Sequence, residues 1–299
     1  MSNYFSAPTR RLLLSLLAFV ALSGCAINTF LVDQVAKSVV TEDAQEEDLL
    51  LARDASPFYL KLTENLLLSS PANLKLAESV SAGFTQYAYA FIAFEADKLE
   101  ARDYKGAEIL RERASKMYAR AYRHAMKTWS LKFPGFDSSI RNPSSLKDPK
   151  LDVSYVGLLY WSAASLGGWI STARDEPDLI ADFPVAVRMA QWAWDLDPSY
   201  AQGSLASLMG TFEWANPNGS KNKAIEYFDR AIDYSNEKSS GPFVSKAERV
   251  AVDKKDKVMF ESLLKKAISI AQKYPNLQNE TMRLRALWLL ENEDDLIES

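Results

Sequence analysis

The chain is short of the residues that carry most hydrolytic and redox chemistry: its 299 residues include one cysteine, Cys25, and one histidine, His124. A lone thiol excludes a disulfide within the chain and a zinc site built on thiolates. A lone imidazole gives a Ser-His-Asp arrangement no second histidine to draw on, and His124, set in a charged helical stretch, reads as a surface residue. Neither a glycine-rich phosphate loop nor an HExxH motif occurs. Valine, isoleucine and threonine are sparse, and no window alternates apolar and polar residues for long enough to make a half-buried strand.

Excess positive charge is missing too. Against 35 Lys and Arg stand 39 Asp and Glu, for a formal charge of −4, so there is no electrostatic footprint for nucleic acid. The basic run "RERASKMYARAYRHAMK" is interleaved with acids upstream and recurs at helical spacing, which reads as a solvated helix face rather than an anion site. Carboxylates are plentiful, but the pair Asp195 and Asp197 stands at a helix end ahead of Pro198, where turns and caps favour aspartate. The acidic tail "ENEDDLIES" reads as a solvated terminus. No catalytic residue, metal site or cofactor is expected.

What the chain has begins with "TRRLLLSLLAFVALSGC". Arg10 and Arg11 precede an apolar core of 11 residues, Leu12 to Leu22, too short for a stable membrane span and typical of a signal peptide. The sequence Leu22-Ser23-Gly24-Cys25 resembles the bacterial lipobox, which makes Cys25 the expected lipidation site and membrane anchor. Ala26, rather than Asp, after the cysteine favours the outer membrane with the protein facing the periplasm. Removing residues 1–24 takes two arginines and leaves 33 basic against 39 acidic residues, a formal −6. The expected division is a lipoprotein signal peptide at 1–24, a lipid-anchor linker at 25–44 and one all-helical domain at 45–299.

Within that domain Ala, Leu, Lys and Glu dominate and the fold class is all-α. Four triples repeat a small or aromatic residue, a bulky one four later and an alanine three beyond: Ala114-Tyr118-Ala121, Ala186-Ala190-Ala193, Ala224-Phe228-Ala231 and Phe260-Leu264-Ala267. Positions i, i+4 and i+7 share one helix face, so each triple admits a close neighbour, as in helix B of a tetratricopeptide-like hairpin. The terminal alanines are 72, 38 and 36 residues apart, against about 34 for an ideal repeat, so the hairpins are degenerate. The long first interval holds "FPGFDSSIRNPSSLKDPK", read as a long loop. The partner helices A are expected at 72–103, 153–173, 201–214 and 242–253, the first opening on Ser70 and Pro71 as cap and first turn.

One of these helices is unusual. "VSYVGLLYWSAASLGGWISTA", residues 153–173, carries no charge over 21 residues and is apolar on every side. Such a helix is central to a fold or immersed in lipid. Its serines, threonine and glycines make it a poor span and suit close packing by neighbouring helices. The two indoles, Trp161 and Trp169, each require a hydrogen-bond acceptor.

The order of lipobox, "SPANLKLAESVSAGFTQYAYAF", "FEADKLEARDYKGAEILRERASKMYARAYRHAM", "FPGF", "YVGLLYWSAASLGGWIS", "VAVRMAQWAWDLDPSYAQGS" and a terminal helical pair resembles the TatT component family of TRAP-transporter-associated lipoproteins, over roughly residues 45–290. The resemblance implies a non-catalytic periplasmic protein that forms a homotrimer and docks the soluble ligand-binding P component of a TRAP transporter. It also implies an apolar channel for small, hydrophobic organic acids. The residues expected to line such a channel are Tyr155, Tyr160, Trp161, Trp169 and Trp192, with Phe84, Tyr87 and Phe91 across from them. The alternative is a helical-repeat lipoprotein that scaffolds outer-membrane or envelope assembly through a concave face.

Overall fold

The computed structural model describes residues 48–142, 150–173 and 175–297. The signal peptide, Cys25 and the linker therefore lie outside the described residues. Those described are helical throughout, with no strand among them.

Helix α1, Leu49–Ser69, starts on Asp48, whose carboxylate accepts the N–H groups of Leu50 and Leu51. The next helix runs without a break through α2, Leu74–Ala88, a π-helical turn, Tyr89–Ala93, and α3, Phe94–Leu99. Its N-cap is Asn73, which accepts from the Leu76 N–H at 3.1 Å, and not Ser70. Ser70 instead closes α1, its N–H shared between the Leu66 and Leu67 carbonyls. Asparagine wins because its side-chain oxygen sits at the right reach of the first free N–H groups of α2.

Helix α4, Tyr104–Lys132, packs along α2. The segment read as a loop after it is partly ordered into α5, Phe136–Arg141, with Phe136 and Ile140 in the core. Gly135 makes this possible: its φ of 91° turns the chain back so that Phe136 lies flat on Trp129, centroids 4.5 Å apart. The charge-free stretch forms a short 3₁₀ turn, Val153–Tyr155, and α6, Val156–Thr172. Then follow α7, Pro177–Ile180, α8, Phe183–Leu196, α9, Ser204–Ala215, and α10, Lys221–Ser235. The last third comprises α11, Gly241–Lys246, a second π-helical turn, Ala247–Ala251, and then α12, Lys257–Lys273, α13, Leu277–Glu291, and α14, Glu293–Ile297.

Four successive helix pairs result: α2–α3 with α4, α6 with α8, α9 with α10, and α11 with α12. In each pair the second helix carries one of the repeated triples, and all twelve triple residues are buried. α6 lies between α4 and α8 and also touches α2, which is why it is apolar all round. No helix among the described residues is long and apolar enough to cross a membrane. Glycines seat its neighbours: a Cβ on Gly168 would meet the Tyr118 ring at 2.5 Å, and one on Gly167 the Phe212 ring at 2.7 Å.

The largest core surrounds α6, and a second one lies among α11, α12 and α13. Arg285 of α13 ties the second to the first. It donates to Glu248 on the second π-helical turn at 2.7 Å and to Asp97 on α3 at 3.0 Å. Its guanidinium also lies over the rings of Tyr89, Phe94 and Trp288, at 5.2 to 5.8 Å. The two opposed carboxylates hold its pKa well above the ordinary arginine value although burial works against the charge.

Candidate aromatic site around α6

Aromatic side chains follow α6 along its length. At its start Tyr155 packs on Trp129 (5.7 Å) and Phe133 (5.3 Å), and the stack continues through Phe136 to Trp192 of α8. Trp129 has no solvent exposure, and its indole N–H donates to the equally buried Ser162 at 3.0 Å.

Half-way along, Tyr160 meets Trp161 at 4.8 Å and Tyr200 at 5.4 Å. The Tyr200 hydroxyl donates to Glu78 of α2 at 3.3 Å. Burial, with the Glu78 charge beside it, raises the Tyr200 pKa, while burial pushes Tyr160 up to about 12. Gly157 leaves the space for Glu78: a Cβ there would meet the carboxylate oxygen at 2.0 Å.

At the far end Trp169 packs on Tyr122 at 6.2 Å, and it shares a cluster with Tyr87 and Tyr118. The Tyr122 hydroxyl is buried with no hydrogen-bond partner among the described residues. Burial, only partly opposed by Arg141, pushes its pKa to about 12, so it stays a donor at neutral pH. From Tyr155 to Trp169 the helix rises about 21 Å at about 1.5 Å per residue.

Six of the eight expected lining residues thus gather along α6. Phe84 and Phe91 also face other neighbours. Phe84 belongs to the same core but its ring stacks on His124 and under Arg120, facing α1. Phe91, on the first π-helical turn, lines a shallow surface groove with Leu50 of α1 and Leu284 of α13. Phe91 nonetheless keeps its expected place beside Tyr87, ring centroids 5.4 Å apart. Trp129, Phe136 and Tyr122 were missed: the first and last sit on a helix read as a charged face, and Phe136 in a segment read as loop.

His124 is not a surface residue. Its Nε2 is 2.7 Å from Glu64 Oε1, and Arg120 and Lys61 bind the same carboxylate. Glu64, 3% exposed, would be pushed up by burial alone; the hydrogen bonds from Arg120, Lys61 and His124 outweigh that and bring its pKa down to about 2. Asp197 makes an Asx turn with Ser199, as its place before α9 suggests.

The sequence matches the family model for the TRAP transporter T-component, TAtT, over residues 45–297. The chain belongs to this family. A protein of Treponema pallidum (strain Nichols), described as uncharacterized, is 26% identical over 233 residues, covering 76% of this chain and 72% of the relative. The T-component match takes in every described helix, so the aromatic side chains packed along α6 lie within the family domain. Membership makes the chain a component associated with TRAP transport, in keeping with the resemblance of "GLLYWSAASLGGWI" and the helices around it.

Proposed function

We propose that this T-component is a non-catalytic lipoprotein, anchored through Cys25 at the periplasmic face of the outer membrane, that handles small hydrophobic organic acids for a TRAP transporter. It acts as a homotrimer of tetratricopeptide-like hairpins and docks the soluble P component, which receives the ligand at short range. The observation that carries this reading is the line of aromatic side chains along α6, from Tyr155 and Trp192 through Tyr160 and Trp161 to Trp169.

The mechanism is passive. Aromatic walls lower the cost of moving an apolar tail through an aqueous compartment, at roughly 25 cal/mol per Å² of apolar surface covered. The protonated Tyr122 hydroxyl, buried without a protein partner among the described residues, supplies a donor for the acid's carboxylate near Trp169. Helix motion that parts α6 from α4 or α8 opens the line to a ligand.

The test is binding of a fluorescent long-chain polyene carboxylate by the full chain in non-ionic detergent, compared with Trp161→Ala and Trp169→Ala variants that keep their helical circular dichroism. The reading expects saturable binding by the parent and at least a tenfold loss in the variants. Equal binding by all three contradicts it.

A further inference from the structure

The aromatic line along α6 meets a negative charge half-way. Residues 153–173 carry no charge and neither do residues 79–94, yet Glu78 stands immediately before the second run. Its two oxygens face different surroundings. Oε2 accepts from Lys75 at 3.0 Å, a side chain 69% exposed, whereas Oε1 accepts from the Tyr200 hydroxyl at 3.3 Å and lies against α6 where Gly157 leaves it room. Tyr200 packs on Tyr160 at 5.4 Å, and Tyr160 on Trp161 at 4.8 Å. One carboxylate oxygen is thus turned toward the rings, while the paired lysine is on the exposed side.

The loop that carries Tyr200 is held in a strained conformation. Ala201, Gln202 and Gly203 have φ of 52°, 53° and 88°, the left-handed region that residues with a Cβ avoid. Gly203 lies against α10, where a Cβ would meet the Ala231 carbonyl oxygen at 2.3 Å. This clamp fixes the chain just after Tyr200, and such strain persists where the surrounding contacts over-determine it, as they do at ligand clamps. At the far end of the line stands the opposite chemistry: Trp169 packs on Tyr122, whose hydroxyl is a donor without a partner among the described residues. Trp161 and Trp169 are about 12 Å apart along the helix. The line therefore has a direction, with a free donor at one point and a carboxylate at the other.

We propose that Glu78 determines the charge of the ligand's tail: the site takes monocarboxylates whose far end is neutral, with the carboxylate toward Tyr122, and rejects dicarboxylates. This rests on the reading that the aromatic line handles organic acids. A second carboxylate about 12 Å from the first would come to Tyr160 and Trp161 and face Oε1, in surroundings that screen charge less than open water does. A neutral end meets only the rings and gains from covering them. Selection by an opposed charge is a common way to reject a near relative of the right ligand. Tyr200 is a positioning residue, since its hydroxyl turns Oε1 toward the line, and Lys75 weakens the exclusion through the other oxygen.

The experiment measures binding of three conjugated polyene probes, each about 12 Å long to match the line, by the full chain in non-ionic detergent. They are a monocarboxylate, the dicarboxylate of the same length, and the monomethyl ester of that dicarboxylate. The parent is compared with Glu78→Gln, checked for helical circular dichroism, and with Lys75→Met, a change at an exposed position. The parent should bind the monocarboxylate and the half-ester more tightly than the dicarboxylate by about tenfold or more. Glu78→Gln should bring the dicarboxylate close to the other two, and Lys75→Met should widen the gap. A parent that binds all three alike overturns the role of Glu78 while leaving ligand handling intact, and so does a gap that both variants leave unchanged. Rejection of the half-ester together with the dicarboxylate assigns the selection to size and also overturns the proposal. A parent that binds none of the three overturns ligand handling and the role of Glu78 together.

Discussion

The indole N–H of Trp129 meets the hydroxyl of Ser162 at 3.0 Å, and neither side chain touches solvent. This bond joins α4 to the middle of α6, and the Ser162 hydroxyl itself donates a hydrogen bond to the Leu158 carbonyl. Ser162→Ala leaves a buried donor unpaired, which costs about 1–3 kcal/mol. Trp129→Phe in the same background removes the orphaned donor, so the double variant should lose less than the sum of the two. Urea unfolding of the four proteins measures the coupling.

Gly168 is needed because the Tyr118 ring lies where its Cβ would be, 2.5 Å away. Gly168→Ala should lower stability by about 1–3 kcal/mol through forced separation of α4 and α6. Gly135 has open space around it and serves only the turn, so Gly135→Asn, a residue that visits positive φ more readily than most, should cost about 1 kcal/mol through backbone strain alone. Thermal melts of the two variants separate close packing from backbone freedom.

The pairing of helices and the burial of residues 153–173 were legible because each depends on a local pattern: the alanine triples mark faces that pack closely, and a helix without charge on any side needs neighbours on every side. The aromatic site was legible on α6 itself. Its walls were not, since Trp129 and Tyr122 are on the inward face of a helix whose outward face is dominated by arginine and lysine. Glu64 escaped notice for a related reason. Nothing in the sequence of α1 shows that its partners stand 56 and 60 residues away, at Arg120 and His124.

Glu64 gives a pH dependence of definite sign. Its folded pKa of about 2 is below the ordinary 4.5, so the stability it contributes is fully present above pH 4.5 and is lost as pH falls toward 2. Glu64→Gln should cost about 2–3 kcal/mol at neutral pH and nearly nothing at pH 2, flattening this part of the acid limb. Urea midpoints measured from pH 7 to pH 2 for both proteins check it.

Arg285 links both π-helical turns to α13, through Glu248 on one and the Tyr89 ring on the other. Arg285→Met strands Glu248 and Asp97 near the junction of the two cores and should cost about 2–4 kcal/mol. Hydrogen exchange should then show α11 to α13 losing protection before α2 and α4. Arg285→Lys should restore little, because an ammonium cannot both stack on Tyr89, Phe94 and Trp288 and serve two carboxylates.

The measurement that tests the account most directly is the mass of the full chain in non-ionic detergent, by light scattering corrected for the micelle, alone and with the soluble P component of its transport system. The account predicts a species of three protomers that gains mass when the P component is added. A single protomer whose mass the P component leaves unchanged would contradict it.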